Sequence, residues 1–242
     1  MKKLFANFSN KMRAPSSAPD SGGPTTAGYK VKKRKMENLH KAAWMGDVGK
    51  LRWHAMCNND VNKVDKHNRT ALHLACANGH AGVVDFLLSK QAKINLFDSQ
   101  KRTALMKAVQ CQNDLCVNIL LENKADPDLM DADGNTALHL AAKIPSLSCV
   151  IMLVKKDADL NVKNLKGLSP LTMAVRGDHI AVTEFLLRKG ADVNILDKHQ
   201  RLEQNDDTQI HPFLLRKGAD VNILDKHQRL EQNDDTQIHP VI

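Results

Sequence analysis

Four short strings recur along this chain at a constant spacing of 33 residues. They read Thr-Ala-Leu-His, Thr-Ala-Leu-Met, Thr-Ala-Leu-His and Ser-Pro-Leu-Thr, and they begin at Thr70, Thr103, Thr136 and Ser169. A fixed period of this size is typical of chains in which each unit buries its apolar face against the next unit. The period therefore predicts an elongated stack with a continuous surface, a shape that favours binding over catalysis.

A weaker copy of the opening string, Glu37-Asn-Leu-His40, lies one period before Thr70 and makes a fifth unit. Two positions keep the same residue type in all five units. Residues three apart on a helix share one face, so we expect both positions in the core of a short first helix. Apolar spacing at 83–88 and 182–187 predicts a second helix in each unit. The repeated core residues are Leu39, Leu72, Leu105, Leu138 and Leu171, with Ala42, Ala75, Ala108, Ala141 and Ala174.

The four stronger strings open with threonine or serine, whose side chains accept hydrogen bonds from the free amides of a first helical turn. Pro170 follows Ser169 at the first helical position, where its missing N–H costs nothing. Each string is therefore predicted to start a helix.

The period of 33 and the Thr-Ala-Leu-His string resemble the ankyrin repeat. The resemblance implies an all-α solenoid of about five helix-pair repeats, in which loop tips and the exposed side of the first helix carry most partner contacts. Ankyrin repeats usually place glycine after the second helix to reach a positive φ. Here Gln91, Lys124 and Asp157 stand at that place, and only the fifth unit has glycine, Gly190.

The segments 70–80, 107–114 and 125–129, together with the Met-Lys-Lys-Leu-Phe start, resemble the mammalian ankyrin-repeat proteins of the POTE and testis-type ankyrin group. That resemblance implies a non-catalytic protein with partners that are mostly unknown. Longer members of the group continue into a coiled coil, which this sequence lacks, so no role that depends on a coiled coil is expected here.

Three segments follow from these patterns. Residues 1–36 form a basic arm, and its Pro, Ser and Gly content at 14–28 predicts disorder. Residues 37–201 form five repeats, at 37–69, 70–102, 103–135, 136–168 and 169–201. Residues 202–242 form an out-of-register tail that contains an unchanged copy of 185–212. Gln204 and Asp207 would stand at core positions of a sixth unit, so we expect an irregular, partly disordered tail.

The basic arm accounts for the whole net charge of +8, because it contains nine Lys and Arg residues and one acidic residue. Residues 37–242 contain equal numbers of basic and acidic residues. The pI near 9.2 is therefore no evidence that the stack binds nucleic acid. A dense cluster at the end of the arm is a candidate nuclear import signal. Contact with nucleic acid or an acidic membrane, and a solvated linker without a role, are the alternatives. The cluster is Lys30, Lys32, Lys33, Arg34 and Lys35.

The cysteine and histidine pattern favours structural roles. Five cysteines without a CxxC pair are typical of a reducing compartment. Cys76, Cys116 and Cys149 fall at apolar repeat positions and are expected to be buried, with Cys57 and Cys111 nearer the surface. His40, His73 and His139 share one repeat position, which indicates hydrogen bonding within the turn and not a metal cluster. No metal or cofactor is expected.

The function that these patterns favour is a non-catalytic protein–protein interaction module or scaffold. An enzyme is not expected, because neither a catalytic triad nor a Gly-rich phosphate loop is present. The alternative is an adaptor whose basic arm attaches it to nucleic acid or an acidic membrane. We expect nucleic acid or acidic lipid to bind only through this arm. No stretch reaches the ~20 apolar residues of a membrane span, so we expect an intracellular protein of the cytoplasm, the nucleus or both.

Candidate binding residues are assigned by their place in the repeat. Trp44 and Met45 are the most informative pair, either as an anchor for a partner or as a cover for the open end of the stack. The candidates on the loop tips are Lys66, His67, Arg69, Arg102, Asp133, Asn135 and Lys166. Those on the first helices are Trp44, Met45, Asn78, Gln110, Lys143 and Arg176.

Overall fold

The computed structural model describes residues 37–57 and 60–192. In these residues the chain forms ten short helices and no strand, arranged as five successive pairs, which confirms the predicted all-α solenoid. The basic arm, the tail and the end of the fifth repeat lie outside the described residues. The helices are α1 Asn38–Met45, α2 Val48–Met56, α3 Ala71–Ala77, α4 Ala81–Ser89, α5 Ala104–Gln110, α6 Asp114–Glu122, α7 Ala137–Lys143, α8 Leu147–Val154, α9 Pro170–Arg176 and α10 Ile180–Arg188.

The ten helices pack in two rows. The first helices of the pairs contact one another in the order α1, α3, α5, α7 and α9. The second helices form a parallel series of contacts from α2 through α4, α6 and α8 to α10. Within the described residues, each pair therefore packs against the pairs next to it along the chain, as expected of a solenoid.

The helix starts follow the predicted caps. Thr70, Thr103, Thr136 and Ser169 each accept a hydrogen bond from the backbone N–H three residues later, at 3.2–3.5 Å. Pro170 occupies the first turn of α9. The first unit differs, because Glu37 makes no capping hydrogen bond with its side chain.

The core lies between the two rows of helices. All ten repeated leucines and alanines are buried, and none is more than 5% exposed. Cys76, Cys116 and Cys149 are also buried, whereas Cys57 is exposed and Cys111 half-buried, as predicted. Burial raises the pKa of the Cys149 thiol to about 12, which favours the protonated thiol at neutral pH.

The turns after the second helices have the positive φ that the repeat pattern predicts. Gln91, Lys124 and Asp157 have φ of 60°, 64° and 59°, and Gly190 has 91°. Three side-chain-bearing residues therefore occupy a left-handed conformation that glycine adopts more readily. None of the described helices is long and apolar enough to cross a bilayer.

Candidate interaction surface

Four loops between repeats share one construction, and we call residues 65–69, 98–102, 131–135 and 164–168 the loop tips. Each tip begins with Asp or Asn. One side-chain oxygen of this residue accepts hydrogen bonds from the backbone N–H groups two and four residues later, at 2.8–3.0 Å. The fourth residue has a positive φ in every tip. The tips are therefore tight turns held from within.

Successive loop tips are also joined to one another by backbone hydrogen bonds. Ser99 N–H donates to the His67 carbonyl at 2.9 Å, and Ala132 N–H donates to the Gln100 carbonyl at 3.1 Å. Leu165 N–H donates to the Asp133 carbonyl at 3.0 Å. The four tips thus form one continuous hydrogen-bonded ridge along the stack.

Histidines of three first helices form hydrogen bonds to backbone carbonyls of this ridge. His40, His73 and His139 each bond through Nε2 to a tip carbonyl, at Arg69, Arg102 and Leu168, all at 3.0 Å. The predicted turn hydrogen bonding of these histidines is confirmed. Among the residues that the structure describes, no group of three or more His, Cys, Asp or Glu side chains could hold a metal ion.

His73 and His139 make the same set of contacts with the threonine that caps their helix. Nδ1 of His73 accepts from the Thr70 N–H at 3.2 Å and lies 2.9 Å from the Thr70 hydroxyl, while Nε2 donates to the Arg102 carbonyl. His139 makes the same contacts with Thr136 and Leu168. Burial lowers the pKa of both histidines, because a charged ring would lose its hydration.

Two residues predicted at the surface of the loop tips are buried, so that prediction is wrong for them. Arg69 is 6% exposed; its Nε donates to Asp65 Oδ2 at 2.8 Å, and the two side chains form an ion pair. Asn135 is 9% exposed, and its Oδ1 accepts from Asn164 Nδ2 at 2.8 Å. Both occupy the fifth residue of a tip, whose side chain turns back beneath the loop to meet an Asp or Asn.

Arg102 occupies the same fifth position and is half-buried. Its Nη1 donates to Gln100 Oε1 at 2.8 Å, and its Nε lies 3.6 Å from the buried Asp131 carboxylate of the next tip. This arginine therefore links neighbouring tips, and only part of its side chain faces solvent.

The other predicted tip residues are exposed. Lys66, His67, Asp133 and Lys166 occupy the second and third residues of their tips, and all four are exposed to solvent. These four side chains remain candidates for partner contact.

At the ends of the first helices the predicted candidates divide into two groups. Met45, Lys143 and Arg176 are exposed, and Met45 keeps 54% of its surface in solvent. Trp44 and Asn78 are half-buried, and Asn78 Nδ2 donates to the Trp44 carbonyl at 2.9 Å. Asn78 therefore joins the second repeat to the first. This structural role explains an asparagine at this position without any contact to a binding partner.

Gln110 is also half-buried and belongs to a pair with a buried lysine. Lys107 is 3% exposed, and its Nζ donates to Gln110 Oε1 at 3.0 Å. Burial lowers the pKa of Lys107. The equivalent positions of the neighbouring repeats are the buried leucines Leu74 and Leu140, so this pair replaces an apolar contact.

A row of exposed apolar side chains escaped the sequence interpretation. Val64, Phe97 and Met130 immediately precede three successive tips, are spaced by 33 residues, and are 44%, 42% and 44% exposed. The next equivalent position is the exposed Lys163. We call these four residues the tip row. Comparison of residue types at every repeat position, and not only in the opening string, would have found it.

An exposed apolar pair also lies on α2, in the first repeat. Trp53 is 63% exposed and Met56 is 85% exposed, so both present more surface than Trp44. The cation cluster at Lys30, Lys32, Lys33, Arg34 and Lys35 lies outside the described residues.

Comparison with known families agrees with this architecture. A family model described as "Ankyrin repeats (3 copies)" matches residues 39–131 and 111–197, which together cover well over half of the chain. No curated protein matches the chain.

Proposed function

The chain belongs to the ankyrin-repeat family, and from this premise we propose that it is a non-catalytic scaffold that binds a protein partner through its loop tips and the exposed ends of its first helices. Ankyrin repeats are generally protein–protein interaction modules. The proposal places the contact on this chain's own exposed residues, Lys66, His67, Asp133, Lys166 and Met45.

The hydrogen-bonded ridge is the observation that carries the proposal. Backbone bonds link the tips at His67–Ser99, Gln100–Ala132 and Asp133–Leu165, while Asp and Asn side chains lock each turn internally. A surface that is already ordered loses little conformational entropy when a partner binds. Exposed side chains of different types on such a ridge provide affinity for a protein partner without a deep pocket.

The N-terminal arm supports two further parts of the proposal. The cluster of Lys32, Lys33, Arg34 and Lys35 is dense enough to act as a nuclear import signal, which would distribute the protein between cytoplasm and nucleus. The alternative function is an adaptor that the arm attaches to nucleic acid or acidic lipid. Such attachment would weaken steeply as salt rises, whereas binding through the stack, where 18 acidic residues at 37–201 offset most of the 22 basic ones, would weaken less.

The sequence resemblance to the POTE and testis-type ankyrin group belongs to the same proposal. It rests on the segments 70–80, 107–114 and 125–129. It agrees with a scaffold role and suggests no partner.

Photo-crosslinking tests the location of the binding surface. A photoreactive amino acid replaces His67 on a tip in one variant of the full chain and Asn118 on α6 in the matched control, because both positions are exposed. We expect protein cross-links from a cell lysate at position 67 and few at 118. Cross-links confined to position 118, or equal at both positions, would contradict binding at the tips.

A further inference from the structure

We propose that the tip row binds a polyproline II peptide that presents an apolar side chain at every third residue and an acidic side chain to Lys163. The inference rests on the proposed function and adds the chemistry of the partner. It begins from the order Val64, Phe97, Met130, Lys163, three exposed apolar side chains followed by one exposed cation at equivalent positions of four repeats.

The hydrogen bonds of the ridge set the spacing of this row. One bond crosses each tip, such as Asp65 N–H to the Arg69 carbonyl at 2.9 Å, and one joins it to the next tip, such as Ser99 N–H to the His67 carbonyl at 2.9 Å. Chains paired by such bonds lie about 4.8 Å apart, so two steps per repeat place equivalent positions about 9.6 Å apart.

Polyproline II matches this spacing and keeps its side chains on one face. It has three residues per turn and rises about 3.1 Å per residue, so every third side chain points the same way at intervals of about 9.3 Å. Over the three intervals from Val64 to Lys163, the accumulated mismatch is about 0.9 Å by the same figures.

The other regular conformations fit less well. In a β-strand, side chains three residues apart point to opposite faces, so a strand cannot contact the row at every repeat. An α-helix returns to nearly the same face after seven residues, but these span about 10.5 Å. Over three intervals the helix would overrun the row by about 3 Å, close to the length of a residue in an extended chain.

Charge on the ridge determines the polar part of the ligand. Lys66, Lys101 and Lys166 are exposed on the tips and Lys163 is exposed in the row, while Asp133 is the exposed acid on the described tips. The acids that open the tips are engaged within the ridge: Asp65 pairs with Arg69, and Asp98 and Asp131 are buried. A ligand with an acidic residue is therefore attracted, and a basic one is repelled.

The residue types of the row also suit proline. Polyproline ligands dock against exposed aromatic and apolar side chains, and they lose little entropy because the conformation exists before binding. Phe97 provides an aromatic ring at the second position of the row, between Val64 and Met130.

The test uses fluorescence anisotropy with the full chain and labelled synthetic peptides. The probe has leucine at every third residue among prolines for three turns and glutamate at the fourth such place, made in both chain directions. The control peptide has the same composition with leucine at every fourth residue. We expect one of the two probes to bind at least ten-fold more tightly than the control. Equal affinities would overturn the proposed spacing.

Two variants assign the binding to the row. Phe97→Ser should weaken the better probe at least ten-fold, while Leu115→Ser, which changes an exposed leucine on α6, should not. Lys163→Glu should weaken the glutamate probe and strengthen one with lysine at that place. Melting curves followed by circular dichroism establish that each variant is folded. An unchanged affinity in folded Phe97→Ser, or no charge reversal at Lys163→Glu, would refute the assignment.

This experiment separates the inference from the proposed function. Cross-linking from His67 that persists while every peptide fails would leave the scaffold function standing and overturn the polyproline ligand. Loss of both signals would overturn both.

Discussion

The first and second repeats both place a histidine at the fourth position of their opening string, but the two histidines make different contacts. The comparison shows that the hydrogen bonds of this histidine depend on the residue that opens the string. In the second repeat, Thr70 caps α3 and also contacts Nδ1 of His73. In the first repeat, Glu37 replaces the threonine and makes no capping bond. Within the part of the chain that the structure describes, His40 Nδ1 has no hydrogen-bond partner and lies 3.8 Å from Glu37 Oε2.

The two repeats also differ in what lies beside them. α3 packs against α1 on one side and α5 on the other, whereas α1 has one described neighbour in its row, α3. Trp53 and Met56 of the first repeat are largely exposed. An internal repeat therefore gains stability from two interfaces, and the terminal repeat depends on one.

The largest expected effect separates an internal core leucine from a terminal one. Leu105→Ala should lower the free energy of unfolding by about 2–5 kcal/mol, because the cavity lies between two neighbours. Leu39→Ala should cost less, since the first repeat can fray without disrupting the others. Urea unfolding followed by circular dichroism measures both. An equal loss in the two variants would show that the end repeat is as tightly coupled as the middle ones.

The second prediction concerns acid, and it applies to His73 and His139. Their folded pKa is lowered by burial, so the unfolded chain binds protons more readily than the folded chain. Their contribution to stability is complete above the unfolded pKa of about 6.5 and is lost as the pH falls toward the folded pKa. By pH 5.5 the loss reaches at most about 1.4 kcal/mol for each histidine.

Unfolding at a series of pH values between 7.5 and 5 measures this loss. The matched variant is His73→Gln, which removes one titrating ring and should reduce the acid sensitivity while lowering stability at neutral pH. A pH dependence that is identical in the variant and the natural chain would contradict the assignment to His73.

Removal of an internal cap should have a smaller effect. Thr70→Ala should lower the free energy of unfolding by about 1 kcal/mol, because the His73 N–H and Nδ1 both lose a contact with the hydroxyl. Thr70→Ser keeps the hydroxyl and serves as the control. Stability equal to that of the natural chain in the alanine variant would show that the capping bond contributes nothing.

Installation of the missing cap should have the smallest effect and the opposite sign. Glu37→Thr should stabilise the first repeat by about 0.5 kcal/mol, because threonine at this place can accept the N–H three residues later and contact His40 Nδ1. Hydrogen exchange of the α1 amides measures the local gain, and Glu37→Ala controls for the removal of the carboxylate. Faster exchange in the threonine variant than in the alanine variant would contradict the comparison.

Much of the fold follows from short-range rules that act within one repeat. The leucine and alanine rows are buried in all five units because their spacing places them on one helical face. Thr70 and Ser169 cap their helices through hydrogen bonds to residues only three positions later in the sequence. The left-handed turns at Gln91, Lys124 and Asp157 are local as well, since each follows a second helix at a constant place in the period.

The same short-range rules predicted less well which side chains are exposed at the surface. Arg69 and Asn135 belong to types that are usually exposed, and they are buried because Asp65 and Asn164 offer partners beneath the loop. The tip row was missed for the opposite reason: Val64, Phe97 and Met130 recur at one repeat position outside the helices, but an apolar residue type does not by itself indicate that the side chain is exposed.

The sequence by itself determined the repeat, the helix starts and the core of the described units, because each depends on contacts that recur at a fixed spacing along the chain. Tertiary structure alone decided which tip side chains face solvent, and it joined His67 to Ser99 and Asp133 to Leu165 in one ridge. Those contacts link residues about one period apart whose types carry no common signal. Their formation depends on how closely neighbouring repeats pack, a distance that no single repeat specifies.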